Sequence, residues 1–117
     1  LEQLAGTAGA IVVVGIGDLG TVPRLPPTLR PYLTRRSKIF NRAAAAAASA
    51  NPRTAKVHTR GRMSSAFDGN PELFAGDQFH ASDEGHAVFA AESATAFAAA
   101  YRLWEQSPRS EGRRVTG

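Results

Sequence analysis

The sequence contains no cysteine. That excludes a disulfide scaffold and any Cys-ligated zinc or iron–sulfur site, and it leaves the compartment open. No apolar run approaches the ~18–20 residues that a bilayer-spanning helix needs, so no transmembrane segment is expected. No Met opens the chain, which starts at Leu1, and no basic stretch leads into an apolar, signal-like run. It reads as an excerpt, or as a product whose start has been removed. What is present is 117 residues, 43% apolar and 21% charged, with 14 basic against 10 acidic side chains and a net charge of +4. That is too apolar for a wholly disordered chain and too short for two domains. Localisation and oligomeric state are left open.

Leu1 to Gly6 reads as the last turn of a helix, with Gly6 in the left-handed position that follows a C-terminus. Ala10 to Val14 is a short β-branched run without alternation, as in a strand buried on both faces of a parallel sheet. Gly15-Ile16-Gly17-Asp18-Leu19-Gly20 then forms a loop whose glycines permit sharp turns or close approach to a ligand. Pro23, Pro26 and Pro27 prolong it. A helix is predicted from about Thr28 or Tyr32 to Ser49, with Pro31 in its first turn or in a break before it. Its apolar side is Leu29, Leu33, Phe40, Ala44 and Ala47. Asn51-Pro52 stops it. Residues 54–59 read as a second strand near a sheet edge, because Lys56 resists burial. Arg60 to Asn70 reads as a loop, and residues 71–74 as one helical turn closed by Gly76. Ser82 caps a final helix, with Asp83 and Glu84 at the positive end of its dipole. That helix runs to about Glu105, with Ala90, Ala94, Phe97, Tyr101 and Trp104 as its apolar stripe. The domain is thus residues 1–106, and residues 107–117 read as a frayed tail. Strands alternating with helices argue α/β with a parallel sheet. Two strands alone make a poor sheet, so the grammar is that of half a doubly wound domain, and the open edge of residues 10–14 is expected to be sticky.

Among the reactive residues, Asp77 and His80 stand out. A carboxylate three residues before a His, in a loop that opens a helix, can fold back onto the imidazole, fix its tautomer and leave the other nitrogen to accept a proton. The same spacing also suits a turn-capping Asp and a surface His. The loop from Gly15 to Gly20 follows a buried strand, where open α/β sheets bind ligands. It has the form G-x-G-x-x-G, but Thr21-Val22-Pro23 follows where a dinucleotide-binding turn would open a helix. Arg30, Arg35, Arg36, Lys38 and Arg42 lie along one helix, without an aromatic platform or a nucleic-acid module. A solvated helix face accounts for them better than nucleic-acid binding does. Asp77, His80, Asp83 and His86 lack the spacing of a metal-ligand set, and no metal or other cofactor is expected. Ser64 and Ser65 lie in the wrong context for a nucleophile.

Two stretches together resemble a known family. These are Val14-Gly15-Ile16-Gly17-Asp18-Leu19-Gly20-Thr21-Val22-Pro23 and Pro71-Glu72-Leu73-Phe74-Ala75-Gly76-Asp77-Gln78-Phe79-His80-Ala81-Ser82-Asp83-Glu84-Gly85-His86. In order and separation they are similar to the C-terminal half of the SGNH (GDSL-type) hydrolases, in particular to bacterial esterase-like members. The resemblance reaches to about Tyr101. It implies a flavodoxin-like parallel sheet between two helical layers, with the site at the strand C-termini. It implies ester hydrolysis of a small-molecule acyl substrate by Ser-His-Asp acyl transfer. His80 would be the general base and Asp77 its partner, with Gly15, Gly17 and Asp18 in the oxyanion loop. The chain departs from the pattern at three places: Gly17 stands where the family has an oxyanion-donating Asn, Ala81 stands where Pro is usual, and the G-D-S block with the nucleophile lies outside the chain. On those departures, the fragment alone is expected to be inactive. A non-catalytic, ligand-binding relative is the alternative, and a basic nucleic-acid module a more distant one.

Overall fold

The structure, a computed structural model, describes residues 1–57, Thr59 and residues 61–107. The order is α1 (Glu2–Ala5), β1 (Ile11–Val14), α2 (Arg30–Ser49), β2 (Thr54–Val57), α3 (Arg62–Phe67) and α4 (Asp83–Glu105). Short 3-10 turns at Leu19–Thr21, Pro27–Leu29 and Pro71–Leu73 fill the connections. The two strands pair in parallel, Ile11 opposite Thr54 and Val14 opposite Val57. The chain is therefore mixed α/β, as its alternation of strand and helix predicts.

The core is small and lies on one face of this sheet. Val57, Met63 and Ala96 are buried there, with Val12, Ala55, Phe67 and Phe89 packed against them. These residues come from β1, β2, α3 and α4. Strand alternation puts Val12, Ala55 and Val57 on the same side. Helix α2 also packs on the sheet but hardly on α4, so the two long helices take opposite faces.

Five local expectations are corrected. The loop foreseen for Arg60 to Asn70 contains α3, whose Met63 and Phe67 fall one turn apart and reach the core. Gly6 ends α1 in an ordinary right-handed conformation (φ −69°), not a left-handed one. Val14 is exposed, and Ile11 to Val13 are only half-buried, because β1 has a neighbour on one edge only. The buried faces of both long helices are also rotated from those predicted. In α4, Gly85, Ser93, Ala96 and Ala100 face inward, while Phe97 and Tyr101 are 56% and 59% exposed. Small residues let the helix axis approach the sheet, and the bulky stripe is left outside. In α2 the buried positions are Ser37, Asn41 and Ala48, while Leu29, Phe40 and Ala47 are exposed. Ser107, foreseen as the start of a frayed tail, is buried, and its hydroxyl donates to the Trp104 carbonyl at 2.7 Å. The rest of that predicted tail, residues 108–117, lies outside the described residues.

The inward polar face of α2 has a definite task. β1 ends at Val14, and the next residues have no strand ladder to satisfy their backbone. The Asn41 side chain replaces it. Its Oδ1 accepts the Ile16 N–H at 3.0 Å and its Nδ2 donates to the Ile16 carbonyl at 2.8 Å. Thr59, also buried, donates to the same carbonyl at 2.7 Å. Replacing Asn41 by Leu leaves the Ile16 N–H unsatisfied in a half-buried place and leaves its carbonyl with Thr59 as donor. A stability loss of about 1–3 kcal/mol is expected for the one stranded group. Phe40→Ser, one position away but half-exposed, should stay within about 0.5 kcal/mol. Denaturant midpoints of the two variants make the comparison.

Candidate functional site

Two loops converge after β1 and before α4. The first, residues 15–20, is held by α2. Asp18 Oδ1 accepts from the Gly20 N–H and from the Thr34 hydroxyl, each at 2.8 Å. The Leu19 N–H donates to Ser37 Oγ at 3.1 Å, and Ser37 in turn donates to the Leu33 carbonyl at 2.9 Å. The glycines have different reasons. A Cβ at Gly15 would collide with Asn41 and Thr59, and one at Gly20 would collide with Thr34. Their close approach is therefore to the protein's own side chains. Gly17 faces open space, with no atom within 4 Å of a Cβ placed there, and its φ lies outside the left-handed region. Among the described residues, no hydrogen bond uses the backbone N–H of Gly17 or Asp18. These two donors are free to receive an anion or a polarised carbonyl.

The second loop is closed on itself. Phe74 and Ala81 form an antiparallel bridge, and the Ala75 N–H donates to the His80 carbonyl at 2.7 Å. Asp77 is the knot inside. Its Oδ1 accepts the N–H groups of Phe79 and His80, each at 3.0 Å. Its Oδ2 lies 2.6 Å from His80 Nδ1. Gln78, between them, has φ +56°, a left-handed backbone that a non-glycine residue adopts only under constraint. Its carbonyl accepts the Arg24 N–H at 3.1 Å, which ties this loop to the Pro-rich one. Ser82 accepts the Gly85 N–H at 3.1 Å and caps α4 as predicted. Gly85 is required for another reason, because a Cβ there would run into the Leu73 carbonyl.

The structure brings Asp77 and His80 together at 2.6 Å, and the same Asp77 also caps the turn beneath an exposed His80, so both readings of the spacing are met in one geometry. His80 Nε2 has no partner among the described residues, and the ring is 75% exposed. Gly17 and Asp18 line the same cavity as Phe79 and Ala81, the residues on either side of His80. Gly15 belongs to the framework rather than to this lining. Among the described residues, no group of three or more His, Asp and Glu side chains could hold a metal ion, and Asp83 and His86 stay exposed. The exposed side of α2 carries Arg30, Arg35, Arg36, Lys38 and Arg42. Ser64 sits on α3 with its hydroxyl on the Thr59 carbonyl at 2.7 Å. No helix is long and apolar enough to cross a membrane among the described residues.

Sequence reasoning missed the positioning residues Thr34, Ser37 and Asn41. Their signal was available: three short polar side chains at spacings of three and four on a helix whose other faces are basic or apolar. No family model, curated protein or solved structure matches the chain.

The imidazole hydrogen bond, followed by the two backbone N–H groups, holds the Asp77 carboxyl well below the usual carboxylate range. A depressed pKa means that the charged form is favoured by folding. The pair's contribution to stability is therefore complete above the ordinary value of 3.8 and is lost as pH falls through the lower folded value. An NMR titration of the Asp77 carboxyl carbon should give a midpoint below 3.8, and His80→Ala should move it upward.

Proposed function

We propose that this chain carries the acid–base part of a serine ester hydrolase site, in the C-terminal portion of a three-layer α/β/α domain of the SGNH (GDSL-type) kind. The observation that carries the reading is the 2.6 Å Asp77–His80 pair with its second ring nitrogen unoccupied. The two free N–H groups on the facing loop support it, as does the parallel order of β1 and β2. The nucleophilic Ser is supplied by polypeptide outside these 117 residues.

Each atom in the site then has a task. His80 Nδ1 donates to Asp77 Oδ2, so Nε2 is the basic nitrogen. It takes the Ser hydroxyl proton as the oxygen attacks the acyl carbon. The negative charge that develops on the former carbonyl oxygen is met by N–H donors of the Gly17–Asp18 stretch. As the tetrahedral intermediate collapses, the C–O bond to the alcohol breaks and His80 Nε2 returns the proton to the leaving oxygen. Water then enters with the same base and releases the acid. Asp77 stays charged throughout, stabilising the imidazolium.

The test is short p-nitrophenyl ester hydrolysis by the full-length parent. His80→Ala should lower turnover by about 10³-fold or more, and Asp77→Asn by a similar order through the wrong ring tautomer. Equal activity in parent and His80→Ala removes His80 from the mechanism. A Cβ at Gly17 meets no atom within 4 Å, and Gly17→Asn would add an amide donor. One oxyanion donor is typically worth about 10²–10³ in turnover, so a clear gain is expected. A parent with no measurable turnover, not restored by Gly17→Asn, favours the ligand-binding alternative.

A further inference from the structure

Charge along the chain is segregated. Residues 19–67 carry ten Lys and Arg side chains and no Asp or Glu. Helix α2 holds five of the ten, Arg30, Arg35, Arg36, Lys38 and Arg42. Helix α4, on the opposite face of the sheet, holds Asp83, Glu84, Glu92 and Glu105 against Arg102 alone. The molecule thus has a positive side and a negative one. On α2, Arg35–Lys38 and Lys38–Arg42 are like-charge neighbours at spacings of three and four, which costs helix stability. Among the described residues, no carboxylate lies within ion-pair distance of Arg35, Arg36, Lys38 or Arg42.

Apolar side chains lie among those cations. Ser37 and Asn41 hold the inward side of α2 against the first loop. Ile39 is two residues from each, so it faces away from the sheet, and it is 47% exposed. Its surface neighbours at three and four positions are Arg35, Arg36, Arg42 and Ala43. Tyr32, two turns earlier on the same line, is 60% exposed. Phe40, half-exposed, joins Ile39 and Ala43 in an open groove of about 410 Å³ that reaches Ile16.

We propose that this outward face of α2 docks on an anionic lipid bilayer, with the Tyr32–Ile39 ridge entering the headgroup layer and Arg35, Arg36 and Arg42 meeting lipid phosphates. A nucleic-acid duplex offers an aliphatic ridge nothing to enter. A bilayer accepts both components, because the long Arg stems keep the guanidinium groups at the phosphates while the ridge sinks below them. Its negative surface potential also turns the positive side of the molecule toward it. The clamp on Ile16 uses the other side of α2, so this surface is independent of the chemistry at the site.

The test is flotation of the full-length parent with two kinds of vesicle, pure phosphatidylcholine and phosphatidylcholine with about a third phosphatidylserine. The parent should float with the anionic vesicles and not with the neutral ones, and added salt should weaken the binding. Each of Arg35→Gln, Arg36→Gln and Arg42→Gln should lower partition by about fivefold, and the three together by roughly a hundredfold. Ile39→Gln and Tyr32→Gln should each lower it by about fivefold or more, with the salt dependence kept. All five positions are exposed, so melting profiles should hold. Phe97→Gln, on the outside of α4, should leave partition unchanged. No binding by the parent, equal binding to both vesicles, or binding that survives the triple change or both ridge changes overturns the proposal. So does stronger capture by duplex RNA or DNA at the same salt that ignores Ile39→Gln, which gives the face to nucleic acid. Self-association that Ile39→Gln abolishes, without lipid binding, gives it to a second copy of the chain and overturns the proposal equally.

Discussion

The Asn41 carboxamide closes on both backbone polar groups of Ile16, as a neighbouring strand would. β1 stops at Val14, and without this clamp the chain would leave the sheet with its N–H and C=O groups competing for water. Buried polar groups must be paired, and an unpaired one costs more than a made bond returns. Asn41 settles that requirement from another element. It thereby fixes how α2 lies against the loop. One turn before it, Ser37 meets the Leu19 N–H, and Thr34 meets Asp18. Gly15 follows from the same constraint, since any side chain there would occupy the place of the Asn41 amide. The loop's free donors at Gly17 and Asp18 are what remains after the other groups have been bound.

The second loop depends on no such outside clamp. Asp77 organises it with three bonds from one carboxylate, two to backbone N–H groups and one to the imidazole. The bonds to the backbone orient the carboxylate, and the bond to the ring uses that orientation. Gln78 is driven into a left-handed conformation as a result, a cost of about 1–3 kcal/mol by general experience of such residues. Its carbonyl recovers part of that through the Arg24 N–H. Because the pair is built within four residues, its geometry tolerates surface exposure.

This difference explains what could be read in the sequence. Asp77, His80 and the Ser82 cap are local devices, and spacing alone exposes them. The α/β alternation is also local, since each strand and helix has its own punctuation. The clamp on Ile16 spans 25 positions in the chain, and nothing near Gly15 announces that an amide will fill the space beside it. The helix faces failed for a related reason. Bulk at helical spacing predicts an inward place for Phe97 and Tyr101, yet both are exposed. The close approach of α4 to β2 instead selects Ser93, Ala96 and Ala100. α3 went unseen because six residues give too little periodicity to distinguish a helix from a loop.

The placement of hydrophobic residues bears on how the site is held. The hydrophobic cluster comprises three buried residues and four that are partly buried, while Val14, Ile39, Phe40, Phe97 and Tyr101 are exposed. Apolar burial is therefore a weak source of rigidity at the loops. Hydrogen bonds contribute only about 1 kcal/mol each in net stability, but they are directional. A loop fixed by side-chain amide, hydroxyl and carboxylate groups can keep its donors in place even when the surrounding core is thin. The Gly15–Gly20 and Asp77–His80 loops are both fixed in that way, and Gln78 is tied through Arg24 to the Pro-rich stretch that continues the first. Geometry at the site is thus decoupled from the size of the core, and the polar face of α2 matters more to it than any aromatic residue on the outside of either long helix.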